Sequence, residues 1–256
     1  AEKAVEMAKT ALVARRPPAG EQVVITRPEL TGVFAHESFG HLTEGDGIFA
    51  KTSPLTGRLG EQIASEQVTI VDAGVDPRGG YYFPVDDEGV PAERVVLVER
   101  GVLRAYLHSR ESAGLLGMRP TGNGRAQSFQ HDILVRMRNT FFEAGDWSED
   151  EIIRETRRGI LLDKPAGGQV SEDGTFTFNA RIGYIVENGE LKEPVRDVVL
   201  AGNILEMLKY VDAAARSVEI STSPFGGCGK WGQMVHVGDG GPTLRVTKLL
   251  VGGEQR

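Results

Sequence analysis

The chain has 256 residues, which is long enough for one large domain or two small ones with a core that needs no disulfide. Its 36 acidic residues outnumber its 29 lysines and arginines, and the net charge of −7 argues against nucleic acid as a partner. Apolar runs are only a few residues long, so we find neither a transmembrane span nor a signal peptide and expect a cytoplasmic protein with no membrane partner.

Short β-branched segments alternate along the chain with a few helical patterns. In chain order the pattern predicts helix 1–15, strand 21–26, helix 28–45, loop 45–65, strands 68–72, 95–99 and 102–107, helix 109–116, loop 119–125, strand 133–142, helix 148–159, strands at 170, 175–180, 183–187 and 190–200, helix 203–214, and strands 218–221 and 243–251. Because the strands and helices do not follow a βαβ alternation, we predict an α+β domain built mostly on antiparallel sheet.

The helix predicted over residues 28–45 contains two histidines and a glutamate in the order His36-Glu37-x-x-x-His41. Imidazole is a common zinc ligand, and a glutamate beside the first histidine is where a zinc hydrolase keeps its general base. The spacing is unusual, because residues i and i+5 diverge by roughly 140° around an α-helix, against about 40° for i and i+4. The motif therefore requires a distorted helix if both rings are to bind one ion.

A π-helical turn between His36 and His41 would bring the two rings onto one face, and such turns are found mostly at functional sites. Gly40 is the natural place for the distortion, because it has no Cβ that could clash. The alternative is an ordinary helix with one histidine in the core, the other on the surface, and an ion pair between Glu37 and His41.

Cys228 is the candidate third ligand. Glycines at 226, 227 and 229 leave its backbone free to direct the sulfur, and Lys230 would favour the thiolate. A single cysteine has no partner for an internal disulfide, which also fits a reducing compartment. The alternative is a small buried hydrophobic residue. The remaining histidines have no partner at a ligand spacing, and we interpret them as structural or surface residues: His108, His131 and His236.

The loop at 119–125 contains Gly122-Asn123-Gly124-Arg125. Two glycines around an asparagine permit close approach of a ligand to the backbone, but the same residues are typical of a tight turn. Both interpretations remain open for this segment.

Five segments carry a pattern that extends far beyond the histidine motif. They are GVFAHESFGHLTEGD at 32–46, DDEG at 86–89, PTGNGR at 120–125, GCGK at 227–230, and the ending 242–253. In this order they resemble the TldD/PmbA metalloprotease family, from about residue 22 to the C-terminus. The chain is similar to the TldD side of the family, because the PmbA (TldE) partner lacks the metal-binding set.

The resemblance implies a zinc-dependent peptidase with His36, His41 and Cys228 as metal ligands and Glu37 as catalytic acid/base. Substrates would be unfolded peptides or flexible protein tails, and the partner would be a PmbA/TldE-like subunit or a second copy of the chain. Family members carry an N-terminal domain ahead of this region. The resemblance therefore implies that residues 1–18 are a helix and linker left from that domain, followed by a C-terminal metalloprotease domain at 19–256.

An extended peptide can add as a strand to an open sheet edge through backbone hydrogen bonds that do not depend on side-chain identity, which predicts low sequence specificity. The candidate residues for contacting that peptide are Gly122, Asn123, Gly124 and Arg125.

Two other classes of function remain open from the sequence. One is a cysteine hydrolase with Cys228 as nucleophile and His41 or His236 as its base. The other is a non-catalytic regulatory or scaffolding subunit of a TldD/PmbA-type complex. The ligand types also permit a divalent transition metal other than zinc.

Overall fold

Strands make up most of the regular structure in the computed structural model, which describes residues 2–222 and 227–253. The helices are α1 (Glu2–Val13), α2 (Pro28–Val33), α3 (Gly45–Ala50), α4 (Arg110–Leu116), α5 (Glu149–Arg154) and α6 (Ile204–Met207). The strands are β1 (Gly20–Thr26), β2 (Ile70–Ala73), β3 (Val95–Glu99), β4 (Val102–Leu103), β5 (Gly124–Arg125), β6 (Leu134–Val135), β7 (Asn139–Phe142), β8 (Arg158–Leu162), β9 (Pro165–Val170), β10 (Thr175–Glu187), β11 (Glu190–Asn203), β12 (Val211–Ala214), β13 (Glu219–Thr222), β14 (Cys228–Lys230), β15 (Gln233–Val235), β16 (Gly238–Gly241) and β17 (Leu244–Gly252).

Two sheets and two short ribbons organise these strands. The larger sheet has the order β1-β8-β10-β11-β17-β12 with β9 added on β10, and β1 also pairs with β17, so part of it closes into a ring. The smaller sheet has the order β13-β16-β7-β2-β3-β4, while β5 with β6 and β14 with β15 form ribbons. Pairing between these strands is antiparallel except for β1 with β8 and β7 with β16. The predicted α+β fold, built mostly on antiparallel sheet, is confirmed.

The segment with the histidine motif lies between the two sheets. On one side, Gly32 of α2 approaches the backbone of Gly240 in β16 so closely that a Cβ would lie 2.7 Å from its nitrogen. On the other side, the ring of Phe34 packs edge-on against Phe176 and Phe178 of β10, with centroids 5.2 and 5.5 Å away. Burial from both sides fixes this segment in the core.

The helix does widen at the motif, as predicted. After α2 the chain forms a π-helical segment at Phe34–Phe39 and then a 3₁₀ segment at Gly40–Thr43, before α3 begins. The role expected for Gly40 is wrong in part, because this residue follows the π segment and has ordinary helical dihedrals, φ −57° and ψ −45°. Its glycine is needed for space, since a Cβ there would lie 2.0 Å from the sulfur of the buried Met137.

Two predicted helices are shorter than expected, because residues near their predicted C-terminal ends belong to paired β-strands. The predicted helix 203–214 gives way to a 3₁₀ turn at Leu208–Tyr210, and Val211–Ala214 pairs with β17 instead. The predicted helix 148–159 ends at Arg154, and the buried strand β8 that follows pairs with both β1 and β10. Backbone pairing in the larger sheet thus overrides local helix propensity.

Other differences concern loops and strands. The predicted loop 45–65 begins with α3, and the predicted strand 133–142 is interrupted between β6 and β7. The strands β14 and β16 were not predicted, because they are rich in glycine and lack the β-branched residues that mark a strand. The first predicted helix corresponds to α1, with Ala1 outside the described residues.

Replacing Gly40 by alanine should destabilise the protein by about 1–3 kcal/mol, because the added methyl group overpacks the site occupied by Met137. Urea unfolding measures the change. Gly114→Ala is the matched control: Gly114 lies in α4 with open space around its Cα, so alanine there should stabilise by about 0.5–1 kcal/mol. Equal stability of the Gly40 variant and the wild type would contradict the packing argument.

Candidate metal centre

The two histidines of the motif and the distant cysteine meet at one point. One ligand atom from each of His36, His41 and Cys228 lies within 4.8 Å of the other two. The two imidazole rings are 5.3 Å apart between centroids, and Cys228 Sγ lies 3.2 Å from His41 Nε2. The structure thus brings together the three residues proposed as ligands.

Cys228 is held by the β14–β15 ribbon. It pairs with Val235 across the ribbon and packs against Val235 and Val237, and only 2% of its surface is exposed. Gly227 has a φ of +158° and approaches the carbonyl of Val235 so closely that a Cβ would lie 2.7 Å from the oxygen. Gly226 lies outside the described residues.

The surroundings of His36 suit a residue that binds a metal cation. The residue is only 2% exposed, and neither of its ring nitrogens makes a hydrogen bond of ordinary geometry to the part of the chain that the structure describes. A buried polar group without such a bond is costly, and coordination to a metal removes that cost. In tetrahedral zinc sites, nitrogen and sulfur ligands lie about 3.5 Å apart, so the 3.2 Å contact between Cys228 and His41 is a few tenths of an ångström shorter than that separation.

His41 is oriented by a buried carboxylate that the sequence analysis did not single out. Its Nδ1 lies 3.0 Å from Glu44 Oε2, which directs Nε2 towards Cys228. Glu44 also accepts a hydrogen bond of 2.9 Å from Lys230 Nζ, and Lys230 in turn binds Asp46. Carboxylate–histidine pairs of this kind fix ring orientation in metal sites. The three-residue spacing of His41 and Glu44 is the local signal that could have identified the pair.

Electrostatic coupling sets the protonation of these groups. Burial raises the pKa of Cys228, but the adjacent His41 and His36 outweigh this and lower the pKa from 9.0 to about 5. Burial lowers the pKa of His41, yet Glu44 and Cys228 raise it well above its usual value. The pKa of His36 is also raised, because Cys228 and Glu37 outweigh burial. A thiolate at neutral pH is the form of cysteine that binds a metal.

Glu37 lies beside both rings and reaches solvent. Its carboxylate oxygens are 4.0 Å from His36 Nε2 and from His41 Nε2, and about a third of its side chain is exposed. It lines a cavity of about 410 Å³, hereafter the motif cavity, together with residues that include His41, Glu44, Val170, Ser171, Glu172, Lys230 and Trp231. The alternative of separated histidines is wrong, because the buried His36 and the partly exposed His41 lie side by side.

The other histidines lie outside this group. His108 is buried and paired with Ser112, and burial lowers its pKa to about 4. His131 contacts Ser128, and His236 contacts Tyr81 through its Nδ1 at 3.3 Å. Their interpretation as structural or surface residues agrees with these contacts.

In the Gly122–Arg125 loop, the first three residues have contacts or backbone conformations that support the fold. Gly122 has a φ of +75°, and Asn123 is fully buried, where its amide donates to the Asp72 carboxylate and to the Arg136 carbonyl. The amide of Gly124 donates to Asp86. These contacts favour the tight-turn interpretation.

Arg125 is the member of this loop that faces a cavity. It donates to the Met137 carbonyl and stacks on Phe83, and it lines a second cavity with His236 and Met234. Contact of this loop with a substrate stays a prediction.

Comparison with known proteins adds a family and several relatives. Residues 19–253 match the family model described as the PmbA/TldA metallopeptidase C-terminal domain. A protein named metalloprotease from Methanothermobacter thermautotrophicus is 48% identical over 254 residues, which cover 98% of this chain and 54% of that protein. The zinc metalloprotease TldD homolog of Saccharolobus solfataricus is 39% identical over 239 residues, 93% of this chain and 53% of that protein. The chain spans about half the length of these curated relatives.

Solved structures show the same fold. TldE from Thermococcus kodakarensis superposes with a TM-score of 0.81 at 26% identity, covering 98% of this chain and 55% of that one. A protein of Thermotoga maritima described as a putative modulator of a DNA gyrase superposes with a TM-score of 0.79 at 29% identity, covering 98% of this chain and 54% of that one.

Across residues 2–222 and 227–253, none of the helices has the length and apolar character needed to cross a membrane.

Glu44 should make the stability of the metal-free protein depend on pH. Burial raises its pKa, but His41 and Lys230 outweigh this and lower it from 4.5 to about 2. A lowered pKa in the folded state stabilises fully above pH 4.5, and this contribution of about 3 kcal/mol is lost as pH falls from about 4.5 towards 2.

Urea unfolding across this range should show a shallower decline for Glu44→Gln than for the wild type. Glu172→Gln, which removes an exposed carboxylate from the same cavity, is the control. Parallel curves for the wild type and the Glu44 variant would contradict the assignment.

Proposed function

The chain belongs to the PmbA/TldD metallopeptidase family, and on this premise we propose that it is the catalytic part of a zinc-dependent peptidase. Its substrates would be unfolded peptides or flexible protein tails. The single observation that carries the proposal is the convergence of His36, His41 and Cys228 beside Glu37, at the wall of an open cavity.

The metal would be held by His36, His41 and Cys228, three protein ligands that leave one position open for catalysis. When bound, zinc supplies Lewis-acid polarisation of a carbonyl and a water of lowered pKa. The name of the Saccharolobus solfataricus relative, a zinc metalloprotease homolog, supports zinc among the divalent metals that such ligands accept.

Glu37 is the proposed acid/base. Its carboxylate stands 4.0 Å from both ligand imidazoles and opens onto the motif cavity, so it can reach a water or a substrate near the ligands. It would take the proton of the attacking water and later give it to the nitrogen of the leaving amine. His41 keeps its orientation throughout, because Glu44 binds its Nδ1 and Lys230 in turn holds Glu44.

Substrate would bind as an extended strand along the motif cavity. The cavity is lined by Val170, the last residue of β9, and by residues 229–231, which include the last two residues of β14. Within the described residues, β9 pairs only with β10 and β14 only with β15, so each strand has one edge that no other strand covers. Binding through such edges would select for unfolded chains and for little side-chain specificity.

The proposed partner of the chain is inferred from the family. The fold shared with TldE supports assembly with a PmbA/TldE-like subunit or with a second copy of the chain. A cytoplasmic location and the division of the chain at residue 18 stay predictions.

One observation favours a second candidate, a cysteine hydrolase. Cys228 Sγ lies 3.2 Å from His41 Nε2, and its lowered pKa is that of an activated nucleophile. In that reaction Cys228 would attack the carbonyl and His41 would be the base.

Glu37→Gln should retain zinc and lose about 10²–10⁴-fold in kcat, because the amide cannot take the proton. Hydrolysis of an unfolded peptide is measured together with the zinc content. Glu111→Gln, at an exposed position of α4 that does not line the motif cavity, should stay near wild-type activity. An active Glu37 variant would exclude the assigned role.

Cys228→Ser should lower the zinc content of the purified protein well below one per chain, since the ligand thiolate is gone. The two candidates are then separated on the wild type. A metallopeptidase loses activity to a chelator and regains it with zinc, whereas a cysteine hydrolase stays active in chelator and is inactivated by alkylation. Full zinc content in the serine variant would show that the third ligand is another residue.

A further inference from the structure

A fully buried arginine holds the backbone of the third ligand. Arg136 lies directly after β6 and has no exposed surface, and its Nη2 donates a hydrogen bond to the carbonyl oxygen of Cys228 at 2.5 Å. The β14–β15 ribbon belongs to neither large sheet, so contacts of this kind fix its position. Arg136 makes the contact to Cys228 itself, whereas Lys230 and Gln233 anchor other residues of the ribbon.

Arg136 is in turn held on the central strands of the smaller sheet. Its amide donates to the Asn123 carbonyl at 2.8 Å, and the Asn123 side chain donates back to the Arg136 carbonyl at 2.9 Å. The same Asn123 amide group donates to Asp72 in β2, a carboxylate with no exposed surface that also binds Arg138 at 2.7 Å. A continuous set of buried hydrogen bonds therefore runs from β2 to the backbone of Cys228.

Packing alone does not account for an arginine at this position. No carboxylate in the described part of the chain lies within ion-pair distance of Arg136, and its Nε and Nη1 have no hydrogen-bond partner there. A buried guanidinium with unpaired donors is costly, and an apolar side chain would fill the same volume without that cost. The hydrogen bond to Cys228 is the contact that only a long donor side chain supplies.

We propose that Arg136 is a positioning residue that keeps the Cys228 sulfur beside His41 and His36. The inference rests on the proposed function, since it assumes that Cys228 is a metal ligand. Cys228 needs such a restraint because glycines flank it on both sides and because it lies 187 residues from His41 in the sequence. The Gly122–Arg125 loop thereby acquires a role through Asn123, as a support for Arg136.

The test compares Arg136→Gln with the wild type in two measurements. The first is the zinc dissociation constant from competition with a chelator, which we expect to rise about 10–100-fold. The second is the absorption of the cobalt(II)-loaded protein, in which the thiolate-to-cobalt charge-transfer band reports sulfur ligation. Per bound cobalt, this band should weaken in Arg136→Gln and be absent in Cys228→Ser.

Arg138→Gln is the matched control. Arg138 is equally buried, two residues further along, and binds Asp72 and the Glu93 carbonyl, with no contact to Cys228. It should lower the thermal stability and weaken the cobalt band less than Arg136→Gln does, because its connection to Cys228 runs only through Asp72, Asn123 and Arg136. If Arg136→Gln does not fold, Arg136→Lys, which keeps the charge but loses the planar fork, undergoes the same two measurements.

An unchanged cobalt band in the Arg136 variant, or equal losses in the Arg136 and Arg138 variants, would overturn the proposal. Failure of the proposed function is distinguishable, because in that case the wild type itself binds neither zinc nor cobalt through Cys228.

Discussion

The widened turn at Phe34–Phe39 is the constraint on which the site depends. His41 follows His36 by five positions, and an α-helix would direct their rings roughly 140° apart. The π-helical turn places the two rings side by side instead. Such a turn is rarely stable alone, so its stability comes from packing, with Phe34 and Phe39 buried in the core between the two sheets.

Charge balance is the second requirement of this centre. Two imidazoles, a thiolate and the buried carboxylate of Glu44 lie together, and each would be costly in isolation. The arrangement compensates them in pairs, since His41 lies between Glu44 and Cys228 while Lys230 neutralises Glu44. Glu37 differs from these groups, because it faces the cavity and keeps contact with solvent. The site therefore combines a buried interior with one carboxylate that is in contact with solvent.

Local patterns in the sequence predicted the fold class and the unusual helix, since strand alternation and the spacing of His36 and His41 are properties of neighbouring residues. What the sequence did not reveal depends on contacts between distant segments. The strand β12 was assigned to a helix, because only its pairing with β17 makes it extended. No local sequence pattern identifies Arg136 or Asn123 as important for the site. Their role depends on hydrogen bonds that form only after the segment around β6 has packed against the β14–β15 ribbon.

The proposed ligands come from near the two ends of the described chain. A cation bound to His41 and Cys228 would close a loop of 187 residues, much as a disulfide does. By the chain-entropy estimate for disulfides, a cross-link of this length disfavours the unfolded chain by about 5 kcal/mol. The ion proposed for catalysis would thus also cross-link the first and last parts of the domain. The supply of metal would therefore govern how long the protein survives proteolysis.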